Sequence, residues 1–148
     1  MQNYIFTDST IAILKKSKKT IIIDVDKIRV INKNIKKVIE DNCLINGSSY
    51  LGRMKYVKKY LNNKYRLPII INKDIILIQM NSLRNENSVL IVFKSILNYK
   101  EHNNSLFIRC KNNYILKENI SKNTFEKEII SCVKINNLIN SKKNENFV

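Results

Sequence analysis

The sequence predicts an α+β domain: a mostly antiparallel curved sheet or small barrel of about eight short strands, two helices inserted after the third strand, and a C-terminal helix packed on the sheet. Three observations carry that reading. Short β-branched apolar runs recur along the chain, bounded by Lys- and Asn-rich turns. Between residues 34 and 61 the apolar positions fall instead at helical spacing, and they do so again from Phe125 onward. No Pro-, Gly- or Ser-rich linker divides the 148 residues, and a hydrophobic content of 44 % suits a folded chain. We therefore read residues 1–140 as a single domain and 141–148 as a frayed polar tail.

The elements follow in order. After an apolar lead-in at Asn3 to Phe6, Thr10-Ile11-Ala12-Ile13-Leu14 reads as a strand, and Thr20 to Val25 as its hairpin partner. Lys15-Lys16-Ser17-Lys18-Lys19 between them is a charged turn, better explained as a solvated tip than as a phosphate contact. Ile28 to Ile31 is a short third strand. Asn34 caps a helix to about Cys43, with Ile35, Val38 and Ile39 on one face and Lys36 and Lys37 opposite. The next helix, Ser49 to Leu61, has Ser48 as its expected N-cap. Its periodicity turns Tyr50, Met54, Val57 and Leu61 inward and Lys55, Lys58 and Lys59 outward, with Arg53, Tyr56 and Tyr60 on the flank.

The single proline, Pro68, opens a second run of strands. Pro68 to Ile71 and Ile75 to Met80 form a hairpin across Asn72-Lys73-Asp74, and Leu83 to Asn87 is a polar loop. Val89 to Leu97 reads as one long strand and Leu106 to Cys110 as the next. Asn112-Asn113 marks a tight turn before Tyr114 to Leu116, because Asn tolerates positive φ. Asn123 and Glu126 make a capping box for the last helix, whose Phe125, Ile129, Cys132 and Val133 share a face toward the sheet. A pleckstrin-homology-like arrangement is one form of such a sheet closed by a helix.

The net charge is +15, from 27 basic and 12 acidic residues, which points to a polyanionic partner. Lys, Ile and Asn all have AT-rich codons, so bulk lysine weighs less than the places where acids are missing. Between Asp41 and Asp74 no acidic residue occurs, while the interval holds Arg53, Lys55, Lys58, Lys59, Lys64, Arg66 and Lys73 among four tyrosines. Gly47-Ser48-Ser49, ahead of a helix, offers N–H groups and a helix dipole to a phosphate, or is a simple turn and cap.

Catalytic chemistry is thin. There is no Gly-rich phosphate loop, no metal-ligand spacing and no Ser/His/Asp or Cys/His set, so neither enzymatic activity nor a cofactor is expected. Asp24 and Asp26 read as a solvated strand end rather than a cation site, and His102 as a loop residue. Cys43, Cys110 and Cys132 are too widely spaced for a zinc site and read as buried thiols of a reducing cytosol. No apolar run reaches the length of about 18 residues that suits a membrane span.

The stretch Gly47-Ser48-Ser49-Tyr50-x-Gly52-Arg53 resembles the G-S-S-Y-x-G-R pattern of the ComK family of bacterial competence transcription factors. Thr10 to Leu14 is similar to that family's N-terminal strand, and Ile35 to Cys43 to a helix ending in Cys just before the glycine. Leu67-Pro68-Ile69, Asn112-Asn113, Ser121 and Phe125 continue the match in order, over roughly residues 9 to 133. Departures are the missing Trp near Leu90, Gln79-Met80 in place of Pro-Thr, and a shorter tail. The resemblance implies a cytoplasmic regulator that binds paired AT-rich boxes in double-stranded DNA, largely through the minor groove, to control DNA-uptake genes. It implies a homodimer or higher homo-oligomer, RNA polymerase as the further partner of an activator, and no membrane partner. A narrow A-tract minor groove attracts cations, so Arg53 and Arg66 are the expected inserting or anchoring residues, with Lys55, Lys58, Lys59 and Lys64 on phosphates. The alternative is a pleckstrin-homology-like adaptor that binds a protein or an anionic partner through the same basic face.

Overall fold

A computed structural model describes residues 4–62 and 66–145 of the chain. β1 (Thr10–Lys16) and β2 (Lys19–Asp24) form the expected hairpin, closed by Ser17 in the left-handed region at φ 57°. β3 (Ile28–Ile31) adds to the free edge of β2. Two helices follow, α1 (Ile35–Ile45) and α2 (Tyr50–Tyr60). β4 (Ile69–Ile70), β5 (Ile76–Gln79) and β6 (Val89–Val92) then return to the same sheet, where β6 pairs with β1. The order β3-β2-β1-β6-β5-β4 thus sets β1 beside β6, the third strand after the helices, at the centre of the sheet.

The expected long strand over residues 89–97 breaks in two. A single 3₁₀ turn at Phe93–Ser95 lifts the chain out of the large sheet and starts β7 (Ile96–His102) in a second one. Ser95 is buried there, and its hydroxyl shares its proton between the Val92 and Ile11 carbonyls at 2.7 and 3.3 Å, tying the bend to β1. β8 (Ser105–Cys110) and β9 (Ile115–Glu118) complete the order β7-β8-β9. Their turns use positive-φ asparagines, Asn103 with Asn104 and Asn112 with Asn113. Among the described residues the two antiparallel sheets do not close into a barrel.

α3 (Lys122–Glu145) closes the described chain, and its last turns fall within the residues read above as a tail. Its N-cap is Ser121 rather than Asn123: the Ser121 hydroxyl accepts from the Thr124 N–H at 3.1 Å. A serine two residues earlier outcompetes the capping box because it directly precedes the first helical residue. Phe125, Cys132 and Ile135 are buried against β5 and its neighbours, and Phe125 meets Tyr99 edge to face at 5.0 Å. Val133, expected on that face, is 42 % exposed. Asp24 is another correction. It is buried, accepts from the Thr10 hydroxyl at 3.0 Å and pairs with Arg29 at 2.7 Å, so it is a structural ion pair and not a solvated strand end. The three cysteines are free and buried, as expected.

α1 packs on β2 and α2 on β4. Buried Asn42 of α1 ties in the N-terminal segment, accepting from the Phe6 N–H at 2.8 Å and donating to the Tyr4 carbonyl at 3.0 Å. α1 is therefore held by β2 and by the N-terminal segment before α2 begins.

Candidate nucleic-acid interface

α2 forms because Met54, Val57 and Leu61 recur on one side and bury there, with Tyr50 half-buried beside them. Lys55, Lys58 and Lys59 are exposed on the other side, as the periodicity predicts. No carboxylate pairs with these three among the described residues. Lys58 and Lys59 also sit in the last turn, where positive charge suits the helix dipole. Tyr56 and Tyr60 meet on the flank with ring centroids 5.0 Å apart and planes tilted by 54°, and the Lys59 ammonium lies 5.5 Å from the Tyr60 ring centroid. By contrast, Lys33 and Lys37 of the α1 region are held by Asp41, at 3.5 and 2.9 Å. The Lys37 hydrogen bond holds the Asp41 carboxyl below its ordinary range.

The turn between the helices is where the sequence motif lies, and Gly47, Ser49, Gly52 and Arg53 each have a task in the joint. Gly47 takes φ 99°, the left-handed residue that ends α1, a conformation that favours glycine. Ser49, not Ser48, is the N-cap of α2, and its hydroxyl accepts from the Gly52 N–H at 3.0 Å. A Cβ on Gly52 would stand 2.8 Å from the Ser48 hydroxyl oxygen, so the serine pair fits because position 52 is bare. Glu40 reaches across from α1, and its carboxylate accepts from the Tyr50 N–H at 3.3 and 3.4 Å.

Arg53 closes the joint. Its Nη2 donates to the Cys43 and Asn46 carbonyls at 3.0 and 2.9 Å, and its Nε to the Ser48 carbonyl at 3.3 Å. The guanidinium thus caps the carbonyl end of α1 from within α2.

This geometry bears on the expected phosphate cradle at Gly47, Ser48 and Ser49. The Gly47 N–H donates to the Leu44 carbonyl and the Ser48 N–H to that of Cys43. Glu40 and the Ser49 hydroxyl take two of the N–H groups of the first turn of α2. The acid-free interval in the sequence is therefore not acid-free in space, since a carboxylate from residue 40 already faces the start of α2.

Arg66 is exposed, with φ 52°, and leads into Leu67, whose carbonyl accepts from Gln79 at 2.7 Å. Lys64 lies outside the described residues. Lys73, left out of the sequence-based set, lines a groove with Gly52, Arg53 and Tyr56. Its only sequence signal was its place in the acid-free interval. Together these elements make a small α+β domain that presents a lysine-studded helix face oriented by a tightly bonded turn. The profile of the ComK family, described as the ComK protein, matches residues 1–144, and the chain belongs to this family of competence transcription factors. Comparison with curated proteins and with solved structures returned no significant match. Among the described residues no helix is long and apolar enough to cross a membrane.

Proposed function

We propose that the protein is a cytoplasmic DNA-binding regulator of DNA-uptake genes that contacts AT-rich boxes, largely in the minor groove, through the outer face of α2. Lys55, Lys58, Lys59 and Lys64 contact phosphates, and Arg66 enters or anchors in the groove. Arg53 serves the same surface from behind, by fixing the angle at which α2 leaves the joint. The protein binds as a homodimer or higher homo-oligomer, which suits paired boxes, and RNA polymerase is the further partner of an activator.

The observation that carries this reading is the face itself: three lysines on one side of a helix whose other side is core, with no carboxylate paired to them among the described residues. Affinity for an AT-rich duplex is expected to fall with salt, log K losing about 0.9 per phosphate neutralised per decade. Reversing Lys55, Lys58 and Lys59 to Glu abolishes binding while the circular dichroism spectrum persists. A minor-groove ligand competes for the AT-rich site. Equal affinity for AT-rich and GC-rich duplexes, or undiminished binding by the triple variant, sinks the proposal.

A further inference from the structure

We propose that the cleft between α1, the start of α2 and the loop at residues 82–84 binds a nucleotide, with the phosphate at Lys36 and Arg84 and the amino edge of the base at Gln79 and Glu40. This site is separate from the lysine face of α2 and does not need that face to bind DNA. The cleft measures about 420 Å³, within the size range of small-molecule sites.

Its chemistry is divided. At the rim, Lys36 and Arg84 are exposed and have no ion pair among the described residues, unlike Lys33 and Lys37, which pair with Asp41. Inside, the polar groups are acceptors. Gln79 is only 9 % exposed, and its Nε2 donates to the Leu67 carbonyl, which fixes the amide and leaves its oxygen without a hydrogen-bond partner among the described residues. The Glu40 carboxylate takes only the long bonds from the Tyr50 N–H, so it retains accepting capacity. Tyr50 and Ile39 supply half-buried and buried apolar surface for a flat ring.

A bare anion suits the rim but meets Glu40 inside. A simple cation suits the interior but meets Lys36 and Arg84 first. A ligand with an anion at one end and N–H donors on a planar body satisfies both, and adenine, cytosine and guanine nucleotides have that form. The loop is preformed, because the Ser88 hydroxyl donates to the Ser82 and Asn85 carbonyls at 2.6 and 2.8 Å.

Calorimetric titration of the full chain with AMP, UMP and inorganic phosphate, and with single-stranded dA and dT oligonucleotides, tests the site. AMP is expected to bind about tenfold or more tightly than UMP, which offers no exocyclic amine, and phosphate more weakly still. Gln79→Leu should erase the AMP preference, and Arg84→Glu, a surface change that spares the fold, should weaken both nucleotides. The Lys55, Lys58 and Lys59 reversal should leave AMP binding unchanged whatever it does to duplex DNA. A dA-over-dT preference that Arg84→Glu weakens, without AMP binding, assigns the cleft to a base within a strand. No preference in either arm, or a preference indifferent to Arg84→Glu, overturns the proposal.

Discussion

Glu128 should make the protein lose stability as pH rises through the neutral range. It lies on the docked face of α3, 6 % exposed, and neither carboxylate oxygen has a hydrogen-bond partner among the described residues. Burial pushes its pKa up to about 8 from 4.5, against a smaller opposite pull from the Arg66 charge. Between those two values the folded protein keeps a proton that the unfolded chain has released. Stability therefore declines with rising pH across that window, by about 1.4 kcal/mol per unit from this group, and levels off above it. From about pH 5.5 to 7.5 the loss is roughly 2–3 kcal/mol, a substantial part of the ~5–15 kcal/mol typical of a domain. Glu118, also raised by burial, acts in the same direction, whereas the lowered Asp41 loses its contribution only toward acid. The assay is urea unfolding at several pH values on the wild type and on Glu128→Gln and Glu128→Met. Both variants should flatten most of the slope, and Glu128→Met should be the more stable at pH 7.5, since it also removes the unpaired polar atoms. A wild type equally stable across the window, or a Gln variant that keeps the slope, refutes the reasoning.

Three further outcomes follow from the joint and the core. Arg53→Ala removes the cap from the Cys43 and Asn46 carbonyls and should destabilise by about 1.5–3 kcal/mol in urea unfolding, with DNA affinity falling in parallel. Gly47→Ala places a side chain at φ 99° and should cost about 1–2 kcal/mol by the same measurement, although nothing lies within 4 Å of the added carbon. Burial pushes the Cys43 thiol up to about 11 and raises those of Cys110 and Cys132, so a thiol reagent at pH 8 should label the native protein only on the timescale of unfolding.

Where periodicity was strong, the sequence was readable. The hairpin of β1 and β2, the inward set of α2 and the Asn112-Asn113 turn all rest on local patterns that packing did not override. The split between β6 and β7 was not readable, because Phe93 and Ile96 continue the apolar run and only tertiary demand on Ser95 bends it. Asp24 was misread for a similar reason. Its partner Arg29 lies across a turn, and alternation alone gives no hint that the pair closes inward. In the candidate site, the outward lysines followed from spacing, but the engagement of Arg53 did not. A basic residue in a basic run looks like a contact until the carbonyls it caps are in place. Glu40 was invisible as a neighbour of Tyr50 because ten residues and a turn separate them.

Four of the six residues that carry the central family motif thus set the angle between two helices. Gly47 stops α1, Ser49 starts α2, Gly52 makes room for the serine pair, and Arg53 bolts the second helix to the carbonyls of the first. Such a joint matters to DNA binding only if the contacts depend on where α2 points. Single phosphate contacts by long lysines tolerate several ångströms of slack, whereas a guanidinium at Arg66 entering a narrow groove does not. Weakening the joint should therefore reduce the preference for AT-rich over GC-rich duplex more than it reduces total DNA affinity. Removing the lysines should do the reverse, weakening all duplexes alike. The ratio of those two effects separates residues that aim the surface from residues that form it.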